Sequence, residues 1–191
     1  MAWIVKNSAG AKIERRAEPY LTEAMKSRFT AEIRPRYETA QGALMPILHD
    51  IQHTYGWIPP QALMETAEYL GLPAASVLDT ATFYEEYNLQ PVGRYTISVC
   101  RSIACEACGH EPIVAQLSRK LGIEPGETTE DGLFTLRTLE CLGACEAAPC
   151  ALVNEDRHDC LKPGALDALI DAIRANPDAV HTAGTGAGHA H

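Results

Sequence analysis

The sequence predicts an α+β protein in which a small helical bundle precedes a mixed unit of strands and helices. Three observations carry that reading. Apolar residues recur at helical spacing in three segments between residues 37 and 90. After Pro91-Val92-Gly93 the period switches to strand-like alternation. All seven cysteines (100, 105, 108, 141, 145, 150 and 160) lie in the second half of the chain.

Residues 1–36 form a basic, partly helical arm, with weak helical patterning over residues 17–29. Lys6, Lys12, Arg15, Arg16, Lys26, Arg28, Arg34 and Arg36 stand there against four glutamates, whereas the whole 191-residue chain carries −9. Such an arm can dock on a partner or imitate a transit peptide, although its glutamates argue against the latter. A solvated, mobile terminus is the alternative of equal weight. The acidic body argues against nucleic acid, which needs clustered cations.

The bundle occupies residues 37–90. Leu44, Ile47, Leu48, Ile51 and Tyr55 share one helical face, with Pro46 near the start and Gly56 as the stop. Ile58-Pro59-Pro60 makes a rigid corner, and a second helix runs from Pro60 to Leu70, ending at Gly71. A third starts behind Pro73 and is expected to carry Val77, Leu78, Ala81, Tyr84 and Tyr87.

Residues 91–175 form the second unit. Tyr95, Ile97 and Val99 alternate with Thr96 and Ser98, which predicts a strand with two unlike faces leading into Cys100. Ile113, Val114, Leu117 and Leu121 predict a helix from Glu111 to Leu121, capped by Gly122. Residues 126–132 are turn-rich, and a strand from Phe134 to Leu139 delivers Cys141. Residues 150–153 and 157–161 predict a short hairpin, and residues 163–175 a last helix burying Leu166, Leu169, Ile170 and Ile173. The β-α-β-β-α order is compatible with a thioredoxin-like layered arrangement. Residues 176–191, rich in Gly, Ala and His, are expected to be a disordered tail. No apolar run approaches the roughly 20 residues of a membrane span, and no signal-type stretch opens the chain. A soluble intracellular protein is the expectation.

The cysteines carry the chemistry. An odd count and close pairs argue against a disulfide framework and for a metal. Cys100-x4-Cys105 follows one predicted strand and Cys141-x3-Cys145 the other. Loops so placed can bring four thiolates together while their N–H groups point inward. That suits an iron–sulfur cluster, whose potential is set by hydrogen bonds to sulfur, burial and local charge. Gly143 permits a tight loop, and Arg101 would stabilise a reduced cluster if it points inward. Spacing leaves other sets open. Cys100, Cys105 and Cys108 with Cys141 or Cys145 match a plant-type ferredoxin. Cys105, Cys108, Cys141 and Cys145 could hold structural zinc in a non-enzymatic adaptor. Cys105-x2-Cys108 could serve thiol–disulfide exchange, and some cysteines could simply pack as small hydrophobes.

Longer motifs go further. Tyr55-Gly56-Trp57-Ile58, Ala67-Glu68-Tyr69-Leu70-Gly71-Leu72-Pro73 and Ala81-Thr82-Phe83-Tyr84 occur in order. They are followed by Gly122-Ile123-Glu124-Pro125-Gly126-Glu127-Thr128-Thr129-Glu130-Asp131-Gly132-Leu133-Phe134-Thr135 and by Glu140-Cys141-Leu142-Gly143-Ala144-Cys145. Together these resemble the E-subunit family of NADH-quinone oxidoreductase, the small [2Fe–2S] component of respiratory complex I, over about residues 38–175. The resemblance implies a thioredoxin-like [2Fe–2S] ferredoxin domain behind the helical bundle. It implies Cys100, Cys105, Cys141 and Cys145 as ligands of one cluster, near the FMN of a partner flavoprotein that binds NADH. The chain would then be an electron carrier in the complex, cytoplasmic and peripheral to the inner face of the membrane, without a substrate site of its own. Related subunits serve NAD-linked hydrogenases and formate dehydrogenases, and the motifs do not separate these. Cys108 and Cys150 depart from the family pattern, with packing or an unpaired thiol as their expected roles.

Other polar residues are read more plainly. No Gly-rich fingerprint follows a strand, so the chain gives no basis for its own nucleotide site. His110 and His158 could ligate iron but fit better as helix-start and turn polars. Glu140 and Glu146 flank the second loop as solvated charges. His49 and His53 share a helix face without a third ligand, and His189 and His191 belong to the tail.

Overall fold

The computed structural model describes residues 15–178, and the chain divides into two compact units between Gln90 and Pro91. Lys6, Lys12, His189, His191 and most of the expected tail lie outside the described residues.

In the first unit the basic segment is packed where it is described. Helix α1 (Glu23–Arg28) starts at Thr22, whose Oγ1 accepts the Met25 N–H, and continues through a π-helical turn, Phe29–Ile33. Leu21, Met25 and Phe29 are buried, Arg28 pairs with Asp50 at 2.7 Å, and Arg16 lies 3.5 Å over the Tyr20 ring. Lys26 pairs likewise with Glu23 at 2.8 Å.

Helix α2 (Leu44–Tyr55) buries Leu44, Ile47, Leu48 and Ile51, as the periodicity predicts, and Gly56 ends it in the left-handed conformation at φ 78°. Each such side chain contributes about 1.5–3 kcal/mol on burial. The Gln52 amide then fixes the returning chain. Its Nε2 donates to the Glu86 carbonyl at 2.8 Å and its Oε1 accepts the Asn88 N–H at 2.6 Å. Helix α3 (Pro60–Leu70) and helix α4 (Ala74–Phe83) follow. Helix α4 differs from the expectation. It stops at Phe83, so Tyr84 and Tyr87 are not on it, and Leu78 and Tyr84 are exposed. Only Val77 and Ala81 face the core; Tyr87 reaches it separately, its hydroxyl donating to the Met45 carbonyl at 3.2 Å.

The second unit is a four-stranded sheet ordered β2-β1-β3-β4: β1 (Tyr95–Cys100), β2 (Phe134–Leu139), β3 (Ala151–Val153) and β4 (Asp156–His158). β1 pairs parallel with β2 and antiparallel with β3, which pairs antiparallel with β4. Every residue of β1 is buried, so the expected contrast between two faces is absent. Its polar side is roofed as well, with Arg137 Nε donating to Ser98 Oγ at 2.8 Å. Gly93 ends the approach to β1 because a Cβ there would lie 2.7 Å from the carbonyl carbon of Phe134, inside contact distance.

Helix α5 (Ile103–Ala107) was not expected; five residues are too few for a periodic signal. Helix α6 (Glu111–Leu121) has the expected bounds. The hairpin is shorter than expected. Cys160 takes φ 48° and donates its N–H to the Ala147 carbonyl at 2.8 Å, which leads the chain out of the sheet after His158. Helix α7 (Asp167–Ala175) starts later than residue 163, because Gly164 at φ 85° interrupts a helical path. Residues beyond α7 stay attached to β1: Tyr95 Oη donates to the Pro177 carbonyl at 2.7 Å and Arg94 pairs with Asp178 at 2.6 Å. The observed architecture is α+β, helices first and a mixed sheet second. Among the described residues no helix is long and apolar enough to cross a membrane.

Candidate metal centre

The site is built by strand register. In the parallel pair β1–β2, Cys100 lies opposite Leu139, so both strands end together and their following loops leave side by side. The Arg101 N–H donates to the Leu139 carbonyl at 2.9 Å, extending the pairing by one residue. On the other edge, the Cys100 N–H donates to the Cys150 carbonyl at 3.0 Å.

The first loop folds into α5, which carries Cys105. The second passes Cys141 and Gly143, whose φ of 71° suits a residue without Cβ, and reaches Cys145 at the start of a 3-10 turn, Cys145–Ala147. Cys100 and Cys105 are buried, while Cys141 and Cys145 are exposed. The Gly143 N–H points at Cys141 Sγ at 3.4 Å. Cys141 is close enough to Cys145 that its charge is the chief cause raising the Cys145 thiol pKa, with burial and the charge on Cys100 adding to it.

The sulfurs of Cys100, Cys105 and Cys150 form the tightest group, all within 4.8 Å of one another and all buried. Burial pushes the Cys100 thiol up, but N–H groups of Ser102 and Leu142, helped by the thiols of Cys105 and Cys150, outweigh it and lower the pKa. One of those amides comes from each loop. Burial raises Cys105, and burial followed by the neighbouring Cys105 pushes Cys150 up to about 12. Sulfur donors from two loops, with amide N–H groups turned onto a sulfur, fit an iron–sulfur cluster.

Cys108 and Cys160 are exposed and stand outside this group, as do the exposed Cys141 and Cys145 of the expected ligand set. Cys150 is the residue that spacing missed. The available signal was its hairpin position: β3 antiparallel to β1 with Val99 opposite Ala151 sets Cys150 beside Cys100. The Arg101 guanidinium, expected to act on the site only if it pointed inward, is paired with the Glu140 carboxylate. Glu146 is exposed and 3.9 Å from Arg157. Buried ring nitrogens of His110 and His158 lack a hydrogen-bond partner, and neither histidine joins the cysteine group. His49 packs on the Tyr87 ring at 5.0 Å.

Comparison with known proteins places this geometry. The family model for thioredoxin-like [2Fe–2S] ferredoxins matches residues 30–174. Over 140 residues the chain is 43% identical to the second E-type component of the NADH-quinone oxidoreductase of Rhizobium meliloti (strain 1021), covering 73% of this chain and 83% of that protein. It is 39% identical over 152 residues to the corresponding E-type component of Pseudomonas aeruginosa, covering 80% and 91%. Two solved structures of an NAD+-reducing [NiFe]-hydrogenase, H2-reduced and air-oxidised, align with a TM-score of 0.62 at 29% and 30% identity. They cover 73% of this chain, which spans only 23% and 24% of theirs. With a match that runs through both units and every cysteine of the site, the chain belongs to the thioredoxin-like [2Fe–2S] ferredoxins and, among them, to the E-subunit family of NADH-quinone oxidoreductase.

Proposed function

We propose that the chain is a one-electron carrier in an NADH-quinone oxidoreductase, with one [2Fe–2S] cluster on Cys100, Cys105, Cys141 and Cys145. The observation that carries this reading is the common end of β1 and β2, where each loop supplies two cysteines and one amide directed at Cys100 Sγ. Bound there, the cluster supplies one-electron oxidation and reduction. Cys100 and Cys105 would anchor it on the buried side, and backbone N–H groups of the loops would stabilise thiolate charge. Cys141 and Cys145 are exposed, and a partner would approach from their side of the site. The partner is a flavoprotein holding FMN and NADH, whose two-electron hydride chemistry this chain does not perform. The names of the bacterial relatives support membership of such a complex, in which this chain would sit peripherally on the cytoplasmic face of the membrane.

The test is EPR and UV–visible spectroscopy of the full chain reconstituted with ferrous iron and sulfide, for the parent and each Cys→Ser variant. The signal of a reduced [2Fe–2S] centre should be lost or altered at Cys100, Cys105, Cys141 and Cys145 and kept at Cys108 and Cys160. No signal in the parent would end the proposal.

The hydrogenase structures favour a second reading, the corresponding component of an NAD-linked hydrogenase, with the site unchanged. Isolation of the native assembly through this chain separates the two. NADH oxidation by a quinone supports the first, and NAD+ reduction by hydrogen supports the second.

A further inference from the structure

We infer that Cys150 is a positioning residue for this centre: its S–H donates to Cys105 Sγ and raises the reduction potential of the group that Cys105 holds. The inference rests on the proposed cluster. Cys150 Sγ lies 3.9 Å from Cys105 Sγ and is fully buried, in a small core of Cys100, Cys105 and Ala144 flanked by Leu142 and Ala148. Its backbone is pinned, because its carbonyl accepts the Cys100 N–H at 3.0 Å. The Cα of Cys150 is therefore held beside Cys100 at the sheet edge, with its buried side chain packed among Cys100, Cys105 and Ala144.

Ligand chemistry fixes the direction of the hydrogen bond. A metal-bound cysteine is a thiolate and can only accept. The donor in this sulfur pair is then the Cys150 S–H, 3.9 Å away. A thiol is a weak donor to a neutral group, but a charged acceptor and a low local dielectric strengthen the bond. A hydrogen bond to a ligand sulfur withdraws negative charge from the centre, and the more negative reduced state gains most. The potential rises. Cys150 needs no place among the four ligands to do this.

The experiment is an EPR-monitored redox titration of the full chain reconstituted with ferrous iron and sulfide. Cys150→Ala and Cys150→Val, which remove the donor with different volumes, should keep the signal and move the midpoint to lower potential. At an ambient potential equal to the parent midpoint, the reduced fraction should fall below one half in both. Cys150→Ser, which retains a donor, should return the midpoint to the parent value or above it. An unchanged midpoint in Ala and Val overturns the inference, as does an equal shift in all three variants. Loss of the cluster in Ala and Val also overturns it, by making Cys150 a ligand or a scaffold residue. Absence of a signal in the parent chain is a different failure, that of the cluster itself.

Discussion

Arg101 and Glu140 form an ion pair that joins the residue after β1 to the residue after β2. Both are substantially exposed, at 49% and 65%, so the pair adds less than about 1 kcal/mol to stability. Its effect on the site is larger in principle, because it neutralises a charge beside each cysteine loop. Glu140→Gln should raise the midpoint potential of the reconstituted centre, and Arg101→Gln should lower it. The double variant should return close to the parent, and all shifts should shrink at high salt. Redox titration reads the shifts, and urea unfolding checks that stability barely moves.

Thiol accessibility tests the ligand set without relying on a spectrum. In the cluster-free chain, a short pulse of iodoacetamide should modify the exposed Cys108, Cys141, Cys145 and Cys160 ahead of the buried Cys100, Cys105 and Cys150. After reconstitution, Cys141 and Cys145 should become protected while Cys108 and Cys160 remain reactive. Peptide mass spectrometry gives the pattern. Protection of Cys108 with either Cys141 or Cys145 still reactive would move the assignment to the plant-type set.

Gly93 meets the backbone of Phe134 at 2.7 Å from where a Cβ would stand, and its N–H donates to Thr135 Oγ1 at 2.6 Å. Neither neighbour is a movable side-chain tip on the Phe134 side, so the strand itself must shift. Gly93→Ala should destabilise the chain by about 1–3 kcal/mol, the usual range for overpacking. The midpoint of urea unfolding should fall accordingly, with the slope unchanged.

Asp131 lies in the turn before β2. Its carboxylate accepts from the Thr129 hydroxyl and, at 2.9 Å, from the Leu133 N–H. The Thr129 hydrogen bond first, then the Leu133 amide, lowers its pKa in the folded state. A folded pKa below the unfolded value of about 3.9 adds stability that is present above that value. It is lost as the pH falls through the folded pKa. Asp131→Asn should therefore cost less than about 1 kcal/mol at neutral pH, given its exposure, and flatten the acid limb of stability below about pH 4. Unfolding midpoints between pH 7 and about pH 2.5 check this.

Local chemistry made much of the chain readable. Helices α2, α3 and α6 have the bounds that apolar period, Pro starts and Gly stops indicate, and β1 and β2 lie where strands are expected, although burial alternates along neither. Errors fall where tertiary contacts override the local signal. Tyr87 stands at helical spacing yet lies past the end of α4, where Tyr84 turns to extended backbone, and its hydroxyl is satisfied on the Met45 carbonyl. Thr96 and Ser98 form the polar face of a strand expected to have two unlike faces and are buried, since β1 lies between β2 and β3 and Arg137 covers Ser98.

For the metal centre, the sequence by itself determined that cysteines follow two strands, and its longer motifs resemble one family whose ligand set they imply. The tertiary structure alone decided which strand edges meet. Parallel register brings the Cys100 and Cys141 loops to one end of the sheet, and the antiparallel β3 sets Cys150 against Cys105. No spacing along the chain encodes that contact, because Cys105 and Cys150 lie 45 residues apart and are brought together by the sheet, which sets Cys150 beside Cys100, and by α5, which returns Cys105 to the same place.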